Sequence, residues 1–288
     1  MPQIVLGTAN FGNEYGIANH NKLLSQDAML SIINWAQQNG INHFDTALAY
    51  GDAEEILGRY LDLSLAPSID TKLNERSCQS RDSIVEIARK TRDMLGVESL
   101  STLYLHDEGL LQTSSKNEIS AGLREVLNLG VAKQIGVSVY SEAAVIACKR
   151  ALPELSVFQV PENICDRRLI ASRHIRSLAD DGNSFMVRSI FLQGLLLMEP
   201  SSIPAKLRLA SEGLKTLNEF AKVNSTTVIK LCLAYANSIS WASGIVVGVN
   251  SLEQLKEIRE FSSSPPKGWD KEISTLPMEI IDPRKWST

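Results

Sequence analysis

Asp45, Tyr50, Lys72 and His106 are four ionisable side chains of different kinds, and they close or follow three successive β-branched runs in the chain. Together they suit proton delivery. A free tyrosine has a pKa of about 10 and is a poor acid at neutral pH. A neighbouring lysine ammonium would stabilise the phenolate and lower that pKa, while a carboxylate would hold the lysine in place. A histidine can hydrogen-bond the same phenol or a substrate oxygen. The set fits protonation of a carbonyl oxygen as hydride arrives at its carbon. Taken singly, each residue has a plainer reading: Asp45 as a turn cap, Lys72 as a rim charge, His106 as a structural histidine, Tyr50-Gly51 as a turn. Their coincidence at neighbouring strand ends favours the joint reading.

Such residues meet only if the elements carrying them are packed side by side. Eight short runs read as strands: Gln3–Thr8, Ile41–Thr46, Ser68–Thr71, Thr102–Leu105, Gln134–Val139, Val157–Val160, Phe185–Ser189 and Gly244–Gly248. Stretches of helical period separate them, among them Ser25–Asn39, Ala53–Leu61 and Ser80–Leu95. Ser25 and Ser80 are expected N-caps, and Gly40 and Gly130 are expected left-handed helix ends. Strict β-then-α alternation predicts a parallel sheet, because a parallel connection needs a crossover. Eight such units favour closure, and no Gly-x-Gly-x-x-Gly follows the first run to argue for an open dinucleotide-binding sheet. The long interval before the last strand predicts two helices, near Ile203–Val223 and Thr226–Ser238. The expected fold is α/β: a (β/α)8 TIM barrel filling residues 1–288 as one domain, with an extra helix between strands 7 and 8 and a C-terminal tail. In a barrel, chemistry sits at the carboxyl ends of the strands, where Thr8, Asp45, Lys72, His106, Ser138 and Gln159 fall.

Composition narrows the class further. Over 288 residues, 29 basic against 33 acidic side chains give a net charge of −4, which is no footprint for nucleic acid or anionic lipid. No apolar run approaches the roughly 18 residues of a membrane span, and the first residues do not read as a signal peptide. Four scattered cysteines, with no Cys-x-x-Cys pair, predict a reduced cytoplasmic protein. His20, His43, His106 and His174 lack metal-ligand spacing, so no metal is expected. Asp107-Glu108 read as a loop cap and Asp166-Arg167-Arg168 as an ion-pair cluster opening the helix after strand six. Trp35 and Trp241 read as packing residues. Trp269 and Trp286 could cover the barrel or reach a substrate, and Arg76 could meet an anion or be solvated.

At these residues the chain resembles the aldo/keto reductase superfamily. The segment Gly40-Ile41-Asn42-His43-Phe44-Asp45-Thr46-Ala47-Leu48-Ala49-Tyr50-Gly51 keeps the family's five-residue step from Asp to Tyr. Further matches are Leu6-Gly7-Thr8-Ala9, Glu54-Glu55-Ile56-Leu57-Gly58, Thr71-Lys72, Leu105-His106, the Lys133–Ser138 run, Phe158-Gln159-Val160-Pro161, Gln193-Gly194-Leu195-Leu196 and Ser251-x-x-Gln254-Leu255. The resemblance implies a barrel that binds NADPH in extended form, with NADH as the alternative, and reduces an aldehyde or ketone. It implies Tyr50 as proton donor, Lys72 and Asp45 as the pair that tunes it, and His106 as the orienting partner. It places Thr8 in the cofactor set and Ser138 and Gln159 at the nicotinamide carboxamide. Ser189, Gln193, Gly194 and Leu195 fall along the pyrophosphate, and Gly248, Ser251, Gln254 and Glu257 fall around the adenosine. The chain departs from the pattern at Val139, where many members have Asn, and at Arg188, where Tyr often stacks on the nicotinamide. Gly248 and Gln254 stand where Lys and Arg often grip the 2′-phosphate, and Ile258 replaces a common Asn.

Two other readings stay open from sequence. One is a cofactor-binding regulatory or partner protein that does no chemistry on the same barrel; the other is a barrel lyase using Lys72 as a Schiff base. Substrate choice is expected from the loops Phe11–Asn19, Asp107–Ser115 and Phe191–Pro204 and from the Glu260–Thr288 tail. The polar and aromatic Asn10–Gly16 stretch suits a sugar-like carbonyl compound, and the opening resembles bacterial members linked to surface-sugar pathways.

Overall fold

A computed structural model describes residues 2–14, 16–17, 23–261 and 263–286. Tyr15, within the Asn10–Gly16 stretch, and His20 lie outside the described residues. Eight strands run β1 (Gln3–Gly7), β2 (His43–Asp45), β3 (Ser68–Leu73), β4 (Leu100–Leu105), β5 (Ala132–Ser138), β6 (Val157–Pro161), β7 (Ser184–Arg188) and β8 (Gly244–Gly248). They pair in parallel in chain order, and β8 pairs with β1 to close a barrel. The crossovers are helices, including Gln26–Gln38, Ala53–Tyr60, Arg81–Leu95, Lys116–Asn128, Glu142–Ala151 and Arg173–Asp180. The fold is the expected (β/α)8 TIM barrel.

Local chemistry sets the boundaries. Ser25 Oγ accepts from the Ala28 amide, and Ser80 and Ser83 bond reciprocally at the next-but-one helix start. Gly40 adopts φ +79°, and the Ile41 amide bonds back to the Ala36 carbonyl at 2.9 Å. That helix end consumes the Ile41 amide, so β2 begins at His43 rather than at Ile41.

Two helices, Ser211–Val223 and Val228–Asn237, fill the interval between β7 and β8. The first starts later than Ile203, because Pro204 has no amide to donate and short 3₁₀ turns occupy 200–202 and 205–210. The Asp166–Arg168 run precedes its helix, which begins at Arg173 behind the Ser172 cap.

The main core lies between the strands and the surrounding helices, with Leu6, Phe44, Ile69, Leu103, Val137 and Phe158 fully or almost fully buried. A second cluster of Val5, Tyr104, Val157 and Met186, with Val246 against it, fills the barrel's centre. The tail packs rather than dangles. Trp286 is buried and donates to the Ile280 carbonyl at 3.0 Å, and Trp269 meets Tyr235 edge-on at 5.1 Å. Among the described residues, no helix is long and apolar enough to cross a membrane.

Candidate active site

The site grows out of β2. Past Asp45 the chain turns over the end of β3, with the Thr46 amide on the Asp70 carbonyl (2.9 Å) and the Leu48 amide on the Lys72 carbonyl (3.2 Å). A tight turn then brings Tyr50 back toward Lys72. Two glycines allow it. A Cβ on Gly12 would stand 2.0 Å from the Tyr50 carbonyl oxygen, and one on Gly51, at φ +55°, 2.4 Å from the Gly12 carbonyl oxygen. Asn13 Nδ2 fastens the same turn by donating to the Ala49 carbonyl at 2.8 Å. Glu54 accepts a hydrogen bond from Thr71, tying the next helix to the strand that carries Lys72.

Lys72 Nζ donates to Asp45 Oδ1 at 2.6 Å and to the Thr46 carbonyl at 2.9 Å, with its side chain 1% exposed. It also lies 5.1 Å from the centre of the Tyr50 ring. The Tyr50 and His106 rings meet edge-on at 5.9 Å. Burial alone would lower the Lys72 pKa, but the Asp45 carboxylate and the Tyr50 phenol raise it, so the ammonium is kept. The Tyr50 phenol departs from expectation. Its burial raises the pKa, and Lys72 and Arg188 pull it down without overcoming that effect, so the net direction is up. Tyr50 therefore holds its proton at neutral pH. Burial and then the charges of Lys72 and Arg188 push His106 down to about 4, leaving a neutral imidazole.

Tyr50 and Asp45 face a cavity of about 240 Å³ that runs from the barrel mouth toward β8. Of the residues expected to bind a cofactor, Gln159, Arg188, Ser189, Gln193, Gly194, Gly248 and Gln254 line it. Gln159 Nε2 donates to Asp45 Oδ2 at 2.7 Å. The others stand outside the lining. Thr8 is buried and donates to the Asp45 carbonyl at 3.1 Å, Ser138 and Leu195 are buried, and Ser251 caps the helix Leu252–Glu260. Glu257 faces a separate surface groove with Glu253 and Glu260, because Gln254 and Ile258, one turn apart, take the cavity side of that helix. Lys72 and His106 sit behind Tyr50.

Sequence reasoning missed Ile229 and Asn250 in the lining, while Asn10 and Phe191 lie in stretches it expected to govern substrate choice. It also missed a second polar set below the first. His43 Nε2 lies 2.9 Å from Asp70 Oδ2, and the Tyr104 hydroxyl donates to the same oxygen at 3.4 Å. Alternation was the available signal, since His43, Asp70 and Tyr104 each stand two residues before Asp45, Lys72 and His106 on the same strand face. Asp107 caps the turn after β4 through the Gly109 amide, and Arg76 is exposed.

The donor set suits an extended dinucleotide. Ser189, Leu192 and Gln193 adopt positive φ without being glycines, followed by Gly194, so the backbone after β7 is held in an uncommon, tightly turned form along the cavity. Asn10 Oδ1 is buried without a partner beside Gly248. No cation lines the Gln254–Ile258 end; Arg188 is the sole Lys or Arg among the described lining residues. Among the described residues, no cluster of His, Cys, Asp and Glu could hold a metal.

A parallel barrel with a tyrosine set over a buried lysine–aspartate pair defines a class built for proton transfer at the strand ends. The sequence pattern of the aldo/keto reductase family matches residues 3–265, and the chain belongs to that family. It is 29% identical over 144 residues to oxidoreductase sirO of Leptosphaeria maculans, covering 48% of this chain and 42% of that protein. The chain thus matches less than half the length of that relative. Its barrel is similar to the glycerol dehydrogenase of Gluconobacter oxydans (TM-score 0.71, 20% identity, 94% and 89% of the two chains). It is also similar to an aldo-keto reductase of Bombyx mori solved with NADP (TM-score 0.70, 19% identity, 95% and 88%). At those identities the likeness concerns the fold.

Proposed function

We propose that this protein, working as one domain in the cytoplasm, reduces an aldehyde or ketone to the alcohol with a nicotinamide cofactor. The observation that carries the reading is the buried 2.6 Å contact of Lys72 with Asp45 beneath a Tyr50 that faces the cavity. When bound, the cofactor supplies hydride to the carbonyl carbon. The chain does the rest. Ser189–Gly194 and Asn10 would hold the dinucleotide, with Gln254 and Ile258 at its far end. Tyr50 keeps its proton until negative charge builds on the substrate oxygen and then releases it. Lys72, fixed by Asp45, stabilises the phenolate left behind. Neutral His106 is free to orient the substrate oxygen as a hydrogen-bond partner. Four free, buried cysteines fit a reducing compartment.

We infer that NADPH serves as cofactor and that NADH binds comparably, since Gln254 neither grips nor repels a 2′-phosphate. A hydroxylated, sugar-like carbonyl compound remains the substrate proposal for the polar loop after β1. The test is fluorescence titration with NADPH and NADH, followed by NADPH oxidation against aldehydes and keto-sugars. Binding with turnover lost in Tyr50→Phe supports the reading. Binding without turnover of any carbonyl would move the protein to the cofactor-binding, non-catalytic alternative.

A further inference from the structure

We propose that the carbonyl compound taken by this cavity carries an anionic group, a carboxylate, and that Arg188 receives it. The proposal rests on the carbonyl-reductase reading and names its substrate class. Arg188 ends β7 and lines the cavity, half-buried. Nη1 donates to Ser189 Oγ at 3.2 Å and Nη2 to the Val139 carbonyl at 3.3 Å, both neutral acceptors. A guanidinium has five N–H donors, so some stay free. Among the described residues no carboxylate stands within ion-pair distance of it.

Arg284 supplies the contrast. Both guanidiniums rest on the Tyr140 ring, Arg188 at 4.2 Å and Arg284 at 3.6 Å. Arg284 is answered by Asp282 at 2.8 Å and Glu108 at 3.8 Å. Arg188 has no such answer, and its free donors are left in the cavity for a ligand to take.

Position selects the ligand. The Arg188 charge is felt at the Tyr50 phenol and at His106. Its contacts run toward the end of β5, away from the β8 side where Gly248, Asn250 and Gln254 lie. The free donors therefore belong to the end of the cavity where a carbonyl must meet Tyr50. There Lys72 and Asp45 pair with each other, and Arg188 is the lining cation with no carboxylate at ion-pair distance among the described residues. A carboxylate bound to Arg188 takes the two-pronged geometry that guanidinium favours. It also offsets the positive ring left after hydride departs. The carboxylate itself changes no bonds. The carbonyl carbon gains hydride from the reduced nicotinamide, which is oxidised, and the oxygen gains the Tyr50 proton, later replaced from solvent.

The test compares 4-formylbenzoate with its methyl ester, and 5-oxopentanoate with its methyl ester, in the wild type, Arg188→Met and Arg188→Lys. The wild type should favour each acid over its ester in kcat/KM by roughly 10- to 100-fold, the range a charge-assisted hydrogen bond supports. In Arg188→Met the acid-to-ester ratio should fall to about one, and Arg188→Lys should lie between. In parallel, 4-(hydroxymethyl)benzoate and its methyl ester are titrated into the NADPH-loaded protein, with binding read from cofactor fluorescence. That arm needs no turnover, so a protein inactive on every carbonyl would refute the reductase reading while the titration still decides the anion site. Equal use and equal binding of acid and ester by the wild type would overturn the proposal. So would an Arg188→Met variant whose acid-to-ester ratio stays at the wild-type value, which would assign Arg188 to cofactor stacking.

Discussion

Inside the barrel two polar layers lie one above the other, built from the same three strands. The upper holds Asp45, Lys72 and His106 with Tyr50; the lower holds His43, Asp70 and Tyr104. Each is tied across β2 and β3 by a short side-chain contact between residues 27 apart in sequence: Lys72 to Asp45 at 2.6 Å, and His43 to Asp70 at 2.9 Å. In register Asp45 pairs with Asp70, so each contact reaches one side chain further along β3, as strand tilt in a closed barrel requires. The difference is access. Tyr50 faces an open cavity, whereas His43, Asp70 and Tyr104 are buried under it. In the lower layer, burial would lower the His43 pKa, but the hydrogen bond and charge of Asp70 raise it, favouring a closed ion pair. Similar residue types make a candidate site where one phenol meets the cavity, and a buried plug where none does.

The sharpest way to break this contrast is at Tyr50. Tyr50→Phe removes the proton donor, and kcat should fall roughly 10²–10⁴-fold while fluorescence titration still reports NADPH binding. A smaller change would mean that another group, or water, delivers the proton. Next comes Lys72→Met, which leaves the Asp45 charge buried with Gln159 as its remaining side-chain partner. Urea denaturation should show a loss of about 3–5 kcal/mol. Asp45→Asn combined with Lys72→Met should regain most of that stability and remain inactive, separating the structural cost from the chemistry. In the lower layer, Asp70→Asn should cost about 1–3 kcal/mol and lower kcat per folded molecule far less than Lys72→Met does. If it abolishes kcat with the fold intact, the two layers are a single relay.

The upper layer was legible because its residues end strands and follow a recognisable Asp-to-Tyr step. The lower layer was not. His43 and Asp70 sit inside strands where polar side chains look like pattern errors until both strands are known to point them at each other. The barrel itself could be read from eight β-branched runs; its strand edges moved by at most two residues, at β2 because the preceding helix end takes the Ile41 amide. The cavity was half legible. Gln159, Arg188, Ser189 and Gly248 stand at or next to strand ends and Gln193, Gly194 and Gln254 came from the family resemblance, but Asn10 and Ile229 sit on helices whose facing direction depends on packing. The direction of the Tyr50 shift was the clearest physical surprise: a lysine nearby argues for a lowered pKa, and only the depth of burial shows which effect wins.

The smallest effect expected is also the one that reads the upper layer's charge directly. His106 is held down to about 4 by burial first and then by Lys72 and Arg188, with Asp107 opposing and the Tyr50 ring against its edge. An imidazole so depressed stays neutral through the range where a free histidine, near 6.5, would take a proton. If neutral His106 is needed for turnover, kcat/KM should therefore stay flat as pH falls through 6.5 and bend only toward 4. Stability carries the same sign. Between those two values the unfolded chain binds the proton and the folded chain does not, so this group's contribution is present above 6.5 and is lost as pH falls toward 4. His106→Gln should make stability less steep in that window, measured as urea midpoints at pH 7 and pH 4.5. Arg188→Met removes one of the depressing charges and should move the acid limb upward, toward 6.5. A limb already near 6.5 in the wild type would show that water reaches the imidazole, and the upper layer would then be more open than its buried lysine suggests.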